Sequence, residues 1–208
     1  MFVQRPSRCA AVSAAVALGA ALWVVQPSDA PAQDARVAGQ LLVATPELEG
    51  PVFAQTVIYM VRHDAQSGAM GLIVNRPLGD LPMAVLLQQA GLPGEGAEGS
   101  VRLHMGGPVE QTRVSVLHTD EYAGPDTVKV GGGVAITTEP SILQAIAKRN
   151  GPRRTRFTVG FAGWAPGQLE AEMRAGYWIV VPSDDGILFD DAYGTKWDRA
   201  MAKRRISL

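Results

Sequence analysis

The sequence is poor in the residues from which covalent and metal chemistry are usually built. It has a single cysteine, Cys9, which excludes an intramolecular disulfide, a Cys-x-x-Cys redox pair and a thiolate zinc site. It has three histidines, His63, His104 and His118, each at the end of a different apolar run. Charged residues make up 19%, below the roughly 25% of an average soluble protein, so much of the surface is small and neutral. Neither sign of charge dominates. The 19 basic and 20 acidic residues leave a net charge of −1, which argues against a nucleic-acid partner, because dedicated binders carry a strongly basic domain. What is present is apolar: 47% of 208 residues, enough to exclude a disordered chain and to fill the core of one domain. The 23 glycines and 14 prolines announce many turns and short elements.

The first 32 residues read as a segment outside the fold. Arg5 and Arg8 precede an almost wholly apolar run from Cys9 to Val25, and Ala30-Pro31-Ala32 follows. A basic start, an apolar stretch and a small-residue exit are the layout of a secretory signal, with Gln33 as the new N-terminus. The run is at the low edge of bilayer-spanning length, so an uncleaved anchor through residues 9–25 is the second reading. Translation starting near Val37 is the third, and it would leave the protein cytoplasmic. Cleavage removes Arg5, Arg8 and Asp29, taking the 19 basic and 20 acidic residues to 17 and 19. The exported form would then contain no cysteine, which suits an oxidising compartment. Residues 33–38 read as a short linker.

From residue 39 onwards, strands and helices interleave. Gly39 to Ala44, Thr56 to Arg62 and Ala69 to Asn75 read as strands, the last two as a hairpin. The middle run has no alternation, so it is expected to be buried on both faces. Leu81 to Ala90 reads as a helix capped by Asp80 with Pro82 in its first turn. Further strands are expected at 101–105, 114–118, 127–130, 134–138, 155–161 and 177–181, with a stub at 187–189. Helices are expected at 141–148, 166–175 and 196–203. Several strand pairs have no helix between them, which favours a mixed sheet over a fully parallel one.

No catalytic set assembles from spacing. The three histidines are able to hold a metal ion only if their strand ends converge. Ser115 and His118 lie three apart on one strand, hence on opposite faces, and no Gly-x-Ser-x-Gly occurs. Gly106-Gly107-Pro108 and Gly131-Gly132-Gly133 open no helix and read as tight turns. Asp184-Asp185-Gly186 lacks calcium-loop spacing. Lys148, Arg149, Arg153, Arg154 and Arg156 read as a solvated basic patch at a helix end. The most unusual strings are Gly160 to Glu170, where small residues surround Trp164 ahead of Gln168 and Glu170, and Asn75-Arg76-Pro77, where a strand ends in two polar groups. Arg76 reads as an anion contact or as the ion-pair partner of Glu170.

Four strings carry a resemblance: AMGLIVNRPL at 69–78, GGPV at 106–109, VLH at 116–118 and GFAGWAPGQLEAE at 160–172, supported by PELEGPVFAQTVIYMVRH at 46–63, GVAITTEPSILQAIA at 133–147 and ILFDDAYGTKWDRAM at 187–201. Together they resemble the AlgH/YqgE family, over residues 39–208 and in the family's order. The resemblance implies an α/β (mixed α+β) fold, a single compact domain with a bent, partly barrel-like mixed sheet flanked by helices. It also implies a transcriptional-regulator label that rests on genetic association, with no biochemical activity attached. This chain departs from the family in its N-terminal segment, in Arg62 where Glu is common, and in His104, which is not a family histidine.

The resulting expectation is a non-catalytic binding or regulatory protein, with no catalytic residue, metal ligand or cofactor assigned. Its partner is a small molecule or a protein, and an unpaired strand edge leaves room for a homodimer. The candidate binding residues are His63, Asn75, Arg76, Gly106, Gly107, Pro108, His118, Trp164, Gln168 and Glu170. One cleft is expected from Asn75-Arg76, the Gly106-Gly107-Pro108 turn and the Trp164–Glu170 segment. The alternatives are a hydrolase or metal-dependent enzyme using His63 and His118, and a DNA-binding regulator using residues 148–156.

Overall fold

The computed structural model describes residues 37–204. The N-terminal signal or anchor, Cys9 and residues 33–36 of the linker lie outside them. Val37, the linker residue next to the first strand, is 1% exposed and packs among core residues.

Ten strands and five helices alternate along the described chain. β1 (Leu41–Ala44), β2 (Val57–Asp64) and β3 (Gly68–Ile73) come first, followed by β4 (Pro77–Pro82) and α1 (Met83–Gln89). Then come β5 (Ser100–Met105), β6 (Val109–Thr119), β7 (Val128–Gly131), β8 (Val134–Thr137) and α2 (Ser141–Ala147). The chain ends with β9 (Thr155–Trp164), α3 (Gln168–Arg174), β10 (Trp178–Val181), α4 (Asp185–Phe189) and α5 (Tyr193–Lys203). No helix among the described residues is long and apolar enough to cross a membrane.

The strands form one curled sheet in the order β10-β1-β2-β3-β9-β6-β8-β7, with β4 and β5 forming a branch off β9. Every pairing is antiparallel except β5 with β9. The sheet is a half-barrel: the Tyr59 hydroxyl on β2 donates to the Gly131 carbonyl at the far end of β7. Alternation along the strands sorts the core. Leu41, Val43, Val57, Tyr59 and Leu72 point into the curl, which α4 and α5 plug with Ile187, Leu188 and Ala200. Leu42, Ile58, Met60 and Ile73 point outward beneath α3. Phe157 and Val116 carry α1 and α2. Burial on both faces is why β2 shows no alternation.

β9 is the axis of the sheet, pairing with β3, β5 and β6. The connection from β5 to β6 crosses it at a backbone-to-backbone approach. A Cβ on Gly106 or Gly107 would collide with the backbone of Gly160 and Phe161, and one on Gly160 would lie 2.5 Å from the Gly107 carbonyl oxygen. The Gly106-Gly107-Pro108 turn is therefore built for this crossing.

Three expectations need correction. Residues 77–82 are a strand, and Asp80 does not cap α1: it faces Arg102 across the β4–β5 pair at 2.7 Å, and Pro82 stands at the helix start. The 187–189 stub is helical, because the Asp184 carboxylate accepts from the Ile187 N–H and caps α4. The basic patch is solvated at Lys148, Arg149, Arg153 and Arg154 but not at Arg156. Arg156 is 3% exposed, Arg153 pairs with Glu121 and Arg154 with Asp185.

Candidate functional site

Asn75 and Arg76 follow directly from the end of β3, and both reach back to the turn before β2. The Asn75 side-chain amide donates to the Gln55 carbonyl at 2.8 Å, and its oxygen accepts from the Val57 N–H at 2.9 Å. One Arg76 guanidinium nitrogen donates to the Ala54 carbonyl. These contacts hold Gln55 in the left-handed region, φ 54°, a conformation that non-glycine residues keep only where neighbours enforce it. The Arg76 carbonyl accepts from Met105, and the Gly106 carbonyl accepts from Ile73, both at 2.9 Å. Asn75, Arg76, Gly106 and Gly107 are thus brought together, with Pro108 exposed beyond them.

A cleft of about 270 Å³ opens between this corner and the start of α5. It is lined by Gln55, Asn75 and Arg76 on one wall and by Tyr193, Gly194, Trp197 and Asp198 on the other. Gln55 and Trp197 also border a second chamber of about 330 Å³, walled by Thr45, Pro46, Leu48, Glu49, Gly50 and Ala54. The two chambers are neighbours with Gln55 and Trp197 as their shared wall, each near the lower end of the size of small-molecule sites, about 300 Å³. The Trp197 indole N–H donates to the Ala44 carbonyl at 2.7 Å, which fixes the ring between them.

Behind Tyr193 lies a buried ionic cluster. Arg156 donates to the Leu188 carbonyl at 3.0 Å, to the Asp190 carbonyl at 2.6 Å, and through one nitrogen to His104 and the Tyr193 hydroxyl, each at 2.7 Å. Since Arg156 is a donor only, His104 Nε2 must accept and its Nδ1–H donates to the Phe157 carbonyl at 3.0 Å. His104 is therefore neutral. Burial, reinforced by the Arg156 charge, lowers its pKa to about 4. The Tyr193 hydroxyl donates to Asp191, and burial together with that carboxylate raises its pKa. Lys196 is fully buried and bonds the Ile187 carbonyl and Asp190; burial lowers its pKa to about 8. Burial alone would raise Asp190, but hydrogen bonds from Arg199 and Lys196 hold it well below the carboxylate range. Arg156 and Lys196 both lie over the Tyr193 ring, at 5.3 and 5.6 Å.

The remaining candidates sit elsewhere. His63 Nε2 lies 2.7 Å from Glu170 Oε1, so the partner of Glu170 is His63 and not Arg76. The Trp164 and Trp178 indoles both donate to one Glu172 oxygen at 2.8 Å, and Gln168 bonds the other at 2.9 Å. Trp164 is 7% exposed and packs edge-on to Trp178, so it plugs the core. Trp164 pairs with Ala69 at the start of β3, whereas Asn75 and Arg76 follow its end. The single cleft expected from both groups is split by the length of that strand. His118 is buried, with its ring bonded to the Thr119 carbonyl and the Thr137 hydroxyl. His63 is on β2 and His118 on β6, with β3 and β9 between them, so they share no site. No group of three or more potential metal ligands occurs among the described residues.

Gln55, Tyr193, Trp197 and Asp198 were not singled out from the sequence. The available signal was the spacing of Tyr193 and Trp197, four apart at a helix start and so on one face.

The fold and this groove define an α+β half-barrel protein with a polar cleft beside an ion-paired helix. The AlgH-like family model, DUF179, matches residues 41–208, and the chain belongs to that family. A UPF0301 protein of Methylococcus capsulatus is 41% identical over 177 residues, covering 85% of this chain and 96% of that protein. A UPF0301 protein of Caulobacter vibrioides is 44% identical over 171 residues, 81% and 87% of the two chains. The solution structure of AlgH from Pseudomonas aeruginosa superposes with a TM-score of 0.71 at 37% identity, over 82% of this chain and 90% of that one. A Corynebacterium diphtheriae protein, 22% identical with a TM-score of 0.61, shares the fold.

Proposed function

We propose that this protein is a non-catalytic binding protein of regulatory type, and that its site is the groove between Arg76 and Trp197. One observation carries the reading. Arg76 is half-buried, lines the cleft and has no carboxylate partner among the described residues. Guanidinium groups withdrawn from water are ordinarily paired, so an unpaired one facing a cavity favours a ligand that brings its own negative charge. The groove's other groups are suited to hold a ligand: Gln55 and Asn75 are amides, Trp197 is a wall, and Tyr193, Asp198 and Glu49 complete the polar lining.

The test is an ¹⁵N–¹H titration of the protein with sodium isovalerate, a carboxylate with a short apolar tail. Saturable shifts confined to the Trp197 indole and the Gln55 amide are expected, and Arg76→Gln should abolish them while the rest of the spectrum persists. Shifts scattered over the surface, or unchanged by the substitution, would overturn the assignment.

The protein is also proposed to be exported, with Gln33 as the mature N-terminus. This rests on Arg5, Arg8, the apolar run at 9–25 and Ala30-Pro31-Ala32. An envelope location favours a small-molecule or protein partner over DNA.

A further inference from the structure

We propose that the groove is a receptor site for a free α-amino acid with an apolar side chain. This rests on the groove being the binding site and names what it takes. The first chamber is bordered by one cation, Arg76, and one anion, Asp198. They are not paired with each other, and the exposed Asp198 carboxylate makes neither an ion pair nor a hydrogen bond with the described residues. A cavity of about 270 Å³ is small enough for one compact molecule to meet both. A simple anion such as phosphate satisfies Arg76 and is repelled by Asp198, and a simple amine does the reverse. A molecule carrying both charges on one carbon satisfies the two together, its carboxylate on Arg76 in the fork geometry a guanidinium offers and its ammonium on Asp198.

The second chamber supplies the rest of the ligand's description. Pro46, Leu48, Ala54 and the Trp197 ring give it an apolar part beside Thr45 and Glu49, and it adjoins the first chamber at Gln55 and Trp197. An apolar side chain leaving the same carbon would enter it and remove those surfaces from water, worth roughly 0.8 kcal/mol per buried methylene. The exposed Gln55 carboxamide at the junction has a donor and an acceptor to offer a carboxylate and an ammonium. Asn75 holds the turn with one donor and one acceptor bond, so its role is to position Gln55.

The experiment is calorimetric titration of the full chain with L-leucine and three analogues. N-acetyl-L-leucine lacks the ammonium, L-leucinamide lacks the carboxylate and glycine lacks the side chain. Saturable 1:1 binding of L-leucine is expected, weakened at least tenfold in each analogue. Asp198→Asn is expected to weaken L-leucine at least tenfold and to leave N-acetyl-L-leucine unchanged, a pattern that general misfolding does not produce. If N-acetyl-L-leucine binds as well as L-leucine, the amino-acid inference is wrong and the groove is a carboxylate site. If neither these compounds nor isovalerate move the Trp197 indole, both this inference and the binding site itself are wrong.

Discussion

Asn75 uses both ends of its carboxamide at one corner, donating to a carbonyl and accepting from an N–H of the turn it faces. Asn75→Ala leaves the Val57 N–H buried without a partner and releases the Gln55 carbonyl. The expected cost is about 2 kcal/mol, from the penalty for stranding buried polar groups. Asn75→Asp keeps the acceptor for Val57 but turns an oxygen toward the Gln55 carbonyl and buries a charge, so it should also be destabilised in urea melts at neutral pH. Both should widen the Gln55 amide resonance, because its left-handed backbone is then no longer enforced. His104 makes a different prediction. Its pKa is lowered to about 4 in the fold, first by burial and then by Arg156, against about 6.5 when unfolded. Between those values the unfolded chain binds more protons, so stability falls as the pH drops. The contribution is complete above about pH 6.5 and is lost down to about pH 4. It amounts to at most about 3 kcal/mol. His118, lowered by burial in the same direction, steepens the slope. Urea midpoints measured from pH 7 to 4.5 should decline, and His104→Gln should decline less steeply.

The helix and strand scale is governed by the crossing over β9. The alanine side chain of Gly160→Ala would lie 2.5 Å from the Gly107 carbonyl oxygen and 2.8 Å from that of Val109, on a backbone with φ +70°. Neither neighbour is a side chain that can turn aside, so the substitution should leave the chain insoluble or lower its melting temperature by more than about 10 °C. Gly132→Ala shares the left-handed backbone, φ +62°, with nothing within 4 Å. It should cost only the conformational penalty, about 1–2 kcal/mol, or a few degrees in the melt. The contrast separates close approach from φ. The same scale shows what was legible in the sequence. β2, β3 and β10 announced themselves because both of their faces are apolar or nearly so. β4 did not: as a branch-edge strand it tolerates Pro77, Gly79 and Pro82 and has almost no buried side to write an alternating pattern. Arg156 was misread because a run of basic residues conceals strand alternation. Arg154 is exposed in the bend before β9, whereas Arg156, the second residue of that strand, is buried.

At the scale of the whole molecule, half the candidate site was readable and half was not. Asn75 and Arg76 stand out where an apolar strand ends in two polar residues, but their groove is closed by Tyr193, Trp197 and Asp198, more than a hundred residues later. Only the curl of the sheet, with α5 packed against β1 and the groove, joins them. That closure also bears on where the mature chain begins. Val37 is 1% exposed and its carbonyl accepts from Gln40, and Gly39 donates to Met60. The folded body thus reaches back to residue 37. Cleavage after Ala32 leaves all of it intact. Translation starting near Val37 would begin the chain at the edge of that body. Intact mass of the protein recovered separately from the periplasmic and cytoplasmic fractions decides between them. The expected result is a periplasmic species beginning at Gln33, without cysteine and with a net charge of −2 after loss of Arg5, Arg8 and Asp29. A cytoplasmic species beginning near Val37 would refute export and return cytoplasmic metabolites and nucleic acid to the range of partners. The amino-acid groove would be unaffected, since every residue that lines it lies between Thr45 and Asp198.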